Sequence, residues 1–235
     1  MNIYVKHQGI FFIGLKRIIE KARKNGDFNI PHERLGYIIS PNKGQLTINL
    51  SRITNIDGTD LFQITKGLVE GYLQILEIIK FLNKYVPGFE KSKINQISPI
   101  FGVRETRHFI GLKTLINDQV FNGSIPEDTI ALSAYNIDIH KNDYTADLIP
   151  LDKPFGIPYG CLVSRDVMGL LLSGRCISVE SMVYGSSRIM GTCMAIGEAA
   201  GIAASLCVKK KIIPSDIDPI DVVNILKRNG AVLSV

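Results

Sequence analysis

The stretch SGRCISVESMVYGSSRIMGTCMAIGEAAGIAAS, residues 173–205, limits the fold more than any other part of the chain. It opens with a Gly-Arg turn and passes through a loop of small residues that carries a second arginine. It then enters a helix-like segment made almost wholly of Ala, Gly, Ser, Met and Cys. Backbone without bulky side chains can come close to a flat ring or a phosphate. The first turn of a helix adds unpaired N–H groups and a partial positive charge. Gly174, Gly185, Ser186, Ser187 and Gly191 are therefore candidates for close approach to an anionic cofactor, and Arg175 and Arg188 for charge-assisted hydrogen bonds to it. Gly197 and Gly201, four apart, leave one helix face bare. That spacing equally suits a tightly packed core helix with no ligand.

The run before this stretch, MGLLLSG, is continuously apolar and ends in glycine, which predicts a strand buried on both faces. Leu68, Gly71, Ile75, Ile78, Ile79, Leu82 and Val86 recur at three- and four-residue steps and predict a helix over 65–86, stopped by Pro87-Gly88. A helix is also expected over 11–25, with Gly26 at its C-terminal end. Strands are expected around 46–50, before the charged cluster at 104–108, over 128–140 and over 156–163. Residues 141–154 read as a loop. The small-residue helix should end at Lys209–Lys211, and a last helix is expected over about 218–228.

Hydrophobic residues make up 46% of the 235 and charged residues 21%, enough for a packed core and too apolar for disorder. The net charge of +5 is local. Residues 1–50 hold eight Lys/Arg against three Asp/Glu, and the remainder holds nineteen of each. The excess belongs to the amphipathic stretch LKRIIEKARKNG, read as a solvated helix face, so no nucleic-acid partner is expected. The four cysteines form no CxxC pair, which removes the usual zinc and iron–sulfur spacings; no metal site is expected. They read as buried free thiols in a reducing, cytoplasmic setting. No signal peptide is visible, and Glu198 makes segment 189–208 a buried helix rather than a membrane span.

Two other clusters could carry chemistry. Arg104, Glu105, Arg107 and His108 put two arginines where they could neutralise a carboxylate substrate or pair with Glu105. Asp138 and His140 share a face of a strand, where a carboxylate beside a histidine can set its tautomer and raise its basicity.

Eight segments occur in the order of a known family. They are INLSRITNIDGTD, EGYLQILEIIKFLNKYVPGFE, IFGVRETRHFIG, AYNIDIH, IPYGCLVS, GLLLSGRCIS, SSRIMGTCMAIGEAAGIAA and LKRNGAVL. The chain resembles the FAD-dependent oxidoreductases of the glutathione-reductase-like two-domain fold, in the branch related to heterodisulfide reductase A. The resemblance implies an α/β (mixed α+β) fold. Residues 1–153 would be a substrate or cap domain with a mixed sheet, and 154–235 the C-terminal strand and helix of a Rossmann-like FAD-binding domain. The loop and small-residue helix would lie against the flavin, with Met190 and Gly191 at its pyrimidine end and Gly174, Arg175, Ser187 and Arg188 around it. Arg104, Arg107 and His140 would orient or deprotonate a small organic substrate that gives a hydride to the flavin.

The family's GxGxxG turn is absent, so the chain looks like the family's C-terminal half. The expected partners are a small-molecule substrate and a separately encoded FAD-binding chain, with no membrane; the pattern sets no oligomeric state. Two departures bear on the helix over 65–86: Thr65 lacks an acidic residue three positions on, and Tyr72 and Leu73 follow Gly71 where the family commonly has arginine.

Overall fold

The computed structural model describes residues 11–140 and 146–235, with backbone alone at 11, 140, 146 and 147. The chain divides into two compact units, residues 11–104 and residues 105–140 with 146–235. Among the described residues the sheets are small and antiparallel. The fold is thus mixed α and β, and among the described residues it does not form the mixed sheet that the resemblance implies.

The first unit is a meander of three strands, β1 (Phe11–Gly14), β2 (Leu35–Ile39) and β3 (Leu46–Asn49), with helices α1 (Lys16–Lys24) and α2 (Leu61–Tyr85). The helix expected over 11–25 begins late because Phe11 and Phe12 belong to β1, where Phe12 stacks on Tyr37 at 4.8 Å. Leu15 makes the corner in a left-handed conformation. Gly26, also left-handed at φ 75°, closes α1: its N–H bonds to Arg23 O, and Asp27 N–H bonds to Ala22 O.

Helix α2 starts four residues before Thr65. Its cap is Asp60, whose carboxylate accepts from the N–H groups of Phe62 and Gln63, so no capping residue is needed at Thr65. Asp60→Ala should cost about 1 kcal/mol, measurable as a lower urea midpoint with unchanged slope. Its inner face packs Ile78, Phe81 and Leu82 against Phe28, Leu35 and Leu50. Gln74 sits in that face because its amide mimics a strand partner. Oε1 accepts from Arg52 N–H at 2.7 Å, and Nε2 donates to Arg52 O at 2.8 Å. Gly67 admits Phe101, whose ring lies 2.8 Å from where a Cβ would be.

The second unit contains α3 (Asn117–Phe121), β4 (Thr129–Ser133), β5 (Ile137–His140), β6 (Ala146–Ile149), β7 (Phe155–Pro158), α4 (Ser181–Ser187), α5 (Met190–Lys210) and α6 (Pro219–Arg228). β4 pairs with β7 and β5 with β6. The strand expected over 128–140 breaks at 134–136 because its two halves serve different ladders. Residues 146–149, expected as loop, are β6 for the same reason. The β4–β7 ladder also crosses the boundary expected at 153/154, so residues on both sides of it share one core. That core packs Ile130, Phe155 and Ile157 with Ile196, Ala199 and Ala203 of α5 and Val222, Val223 and Leu226 of α6.

Two strand expectations fail here. Residues 97–110 form no strand; Pro99 has no N–H to offer a ladder. Residues 168–173 form no buried strand either. They meet a neighbour through a single bridge, Val163–Leu171, and Met168 is 87% exposed. An apolar run becomes a buried strand only where strands flank it on both edges. α5 is likewise buried along one stripe, Thr192, Ile196, Ala199 and Ala203. A Cβ at Gly197 or Gly201 would meet nothing within 4 Å, so among the described residues no element packs closely on the two glycines. By length and composition alone α5 is apolar enough to cross a membrane.

Candidate functional site

The site lies in the second unit and rests on irregular backbone. Residues 109–115 are stitched to 160–165 and to 176–180. Lys113 N–H bonds to Gly160 O, Leu112 N–H to Val163 O, Leu115 N–H to Ser178 O and Ser178 N–H to Cys161 O, each at 3.0–3.1 Å. This layer carries His108 at one end and the turn Gly174–Cys176 beside it. Cys161, buried within the layer, has its thiol pushed up to about 12 by desolvation, and so stays neutral.

His108 lies between two acceptors. Nδ1 is 3.2 Å from Ile177 O and Nε2 is 2.9 Å from Glu105 Oε1. Ile177 O can only accept, as can the Glu105 carboxylate, so each contact is a hydrogen bond only with a proton on the nitrogen that faces it. The His108 and Tyr184 rings are T-shaped, with centroids 4.9 Å apart and planes at 84°. Arg188 Cζ lies 5.8 Å from the centre of the same ring. Burial raises the pKa of Tyr184, with Arg175 and Arg188 pulling it down and Glu105 and Cys193 pushing it up. The Cys193 thiol is also raised by burial, opposed by Arg175. Charge at Arg175 is thus felt both at Tyr184 and in the first turn of α5.

Arg188 has a partner that the sequence pattern does not reveal. Its Nη2 donates to Asp138 Oδ2 at 2.8 Å and to Asp138 O at 3.2 Å. The carboxylate expected beside His140 is therefore joined to the arginine expected beside the cofactor. The pair is mostly shielded and fixes the α4–α5 junction on β5. α4 presses so close that a Cβ on Gly185 would lie 3.0 Å from Asp138 N and O. Arg188→Met should cost about 2 kcal/mol by removing a charged donor from a shielded carboxylate. Adding Asp138→Leu should recover part of it, as a double-mutant cycle by urea unfolding would show.

A chain of hydroxyls anchors the first turn of α5 from below. Thr192 Oγ1 donates to Ser133 Oγ at 3.2 Å, Ser133 Oγ lies 3.4 Å from Ser186 Oγ, and Ser186 Oγ donates to Tyr135 O at 2.5 Å. The outer side of the turn is open. Met190 is 83% exposed, and a Cβ on Gly191 would meet nothing within 4 Å. No side chain caps this helix end and no acidic residue lies in its first turn. Gly174, left-handed at φ 77°, is equally open, and Arg175 follows it at the surface.

The expected site residues therefore fall in different places. Gly174, Arg175, Met190 and Gly191 are open. Ser187 is buried, its carbonyl accepting from the Cys193 thiol at 3.8 Å. Arg107 is exposed in the second unit, whereas Arg104 belongs to the first, so the RETR run is divided between the two. The His140 side chain lies outside the described residues. Tyr184 and Cys193 are additional members that sequence reasoning left out. A tyrosine four residues before Arg188, on the same helical face, was the available clue. His108 gains a place through Glu105, three residues earlier.

An uncapped 21-residue helix end, two open glycines and a surface arginine form a donor set suited to an anionic, planar cofactor. No curated protein and no solved structure matches the chain. A family model described as FAD dependent oxidoreductase matches residues 12–228, nearly the whole length. The chain belongs to the FAD-dependent oxidoreductase family, and its cofactor is FAD.

Proposed function

We propose that this chain takes part in a flavin-dependent oxidation of a small organic substrate, in the branch of the family related to heterodisulfide reductase A. The observation that carries the reading is the open N-terminus of α5 beside the Gly174–Arg175 turn. FAD, when bound, supplies a two-electron acceptor. The backbone N–H groups at Met190 and Gly191 and the Arg175 guanidinium would hold its negative charge. Arg188 and Asp138 keep that helix end in place, and the hydroxyl chain through Thr192 supports it. Arg107 orients an anionic substrate, and His140 accepts its proton; His108, held near Ile177 O and Glu105, is a second proton-carrying group near Tyr184. The free thiols fit a reducing, cytoplasmic setting.

The test is an absorbance spectrum of the purified chain followed by FAD titration. Saturable quenching of flavin fluorescence supports the reading. Once an active assembly is in hand, His140→Ala and Arg107→Ala should slow flavin reduction; unchanged rates remove those roles.

A second reading is favoured by one observation. Ile110, Leu112, Val167, Met168 and Leu170 are all exposed on linked segments, an apolar area that wants covering. In this reading the chain is a noncatalytic partner, or one completed by a separately encoded chain bearing the GxGxxG turn. A chain that ignores FAD alone but binds it when co-expressed with such a neighbour supports completion; indifference to FAD in both states supports the noncatalytic role.

A further inference from the structure

α2 has a second apolar face. Its inner face holds Gly67, Gly71, Gln74, Ile78, Phe81 and Leu82. On the opposite side Phe62 is 88% exposed, Val69 57%, Leu73 63% and Leu76 51%. A helix covering one core normally carries polar residues there. With Lys66 and Lys80, also exposed, these residues stand at 62, 66, 69, 73, 76 and 80. The steps alternate four and three, the seam of a two-helix coiled coil with a repeat of about 3.5 residues.

We propose that α2 pairs with α2 of a second copy of this chain, antiparallel, about a two-fold axis between Val69 and Leu73. This interface is independent of the flavin reading. In the antiparallel register every layer is complementary. Val69 faces Leu73 of the second copy, Lys66 faces Leu76, and Phe62 faces Lys80. Each lysine lays its aliphatic stem over an apolar side chain. Lys80 brings its ammonium to the face of Phe62, and Lys66 reaches Glu77 beside Leu76. A parallel pair would instead set Lys66 against Lys66 and Lys80 against Lys80, a like-charge cost in two of its layers. The same patch serves both copies, as closed two-fold pairing requires. Glu70 and Glu77 border the seam and disfavour an anionic lipid surface as its occupant.

Sedimentation equilibrium of the full chain tests this, over about 5–200 μM, the range suited to a helix-pair interface at the small end of stable ones. A reversible dimer is expected. Leu73→Glu, which places a carboxylate in both central layers, should weaken it at least tenfold while leaving the far-ultraviolet circular dichroism unchanged, because Leu73 is exposed in the single chain. Orientation is read by oxidation. An equimolar mixture of Val69→Cys and Leu73→Cys chains should cross-link above the wild-type background, and neither variant should do so alone. A monomer throughout the range overturns the proposal. So does a dimer indifferent to Leu73→Glu, and so does cross-linking of the Leu73→Cys chain with itself.

Discussion

Gly111→Ala is expected to destabilise the protein by about 3 kcal/mol, the upper end for a single overpacking change. A Cβ there would lie 2.7 Å from Gly160 O, 2.8 Å from Lys113 O and 2.9 Å from Ser178 Cβ. Two of these neighbours are backbone carbonyls and cannot turn away as a side chain can. Gly160 O already accepts from Lys113 N–H, so moving it breaks a bond of the irregular layer. The shift would pass to Ser178, which bonds Cys161 O, and so to the segment bearing Arg175 and Cys176. Urea unfolding should show the loss as a lower midpoint. Gly102→Ala, where a Cβ meets nothing within 4 Å, is the control and should stay within about 0.5 kcal/mol of wild type. A Gly111→Ala chain with wild-type stability would mean that the three segments do not meet as described.

Local patterns were legible where one stretch of chain decides its own structure. α2 follows from three- and four-residue apolar spacing and Pro87-Gly88, and the end of α5 from its terminal lysines. The start of α2 escaped because its cap is Asp60, an ordinary turn residue until the next N–H groups are seen to bond it. The run at 168–173 escaped for a different reason. Its composition is that of a buried strand, but burial depends on neighbours, and here it has one bridge. Within the candidate site, Gly174, Arg175 and Gly191 are candidates because small residues and charge lie together in sequence. The Arg188–Asp138 pair spans fifty residues, and the Glu105–His108–Tyr184 cluster spans nearly eighty, so both depend on tertiary placement that periodicity does not encode. RETR looked like one cluster because its residues are adjacent; the chain divides inside it.

Gly191→Leu separates binding from folding. The position is the second residue of α5, on the open side of its first turn, so the added side chain strains nothing; leucine is also the better helix former. Stability should change by no more than about 0.5 kcal/mol. FAD affinity of the chain, or of its complex with a GxGxxG-bearing partner, should fall at least tenfold, since leucine would cover the N–H groups that face outward at Met190 and Gly191. Arg175→Met should weaken the same titration by removing the nearby positive charge, without leucine's steric block, and raising the salt concentration should weaken wild-type binding more than binding to Arg175→Met. Equal FAD affinity for wild type and Gly191→Leu would move the flavin away from the end of α5. The open helix terminus would then have to be explained by another anion or by a protein surface that seals it.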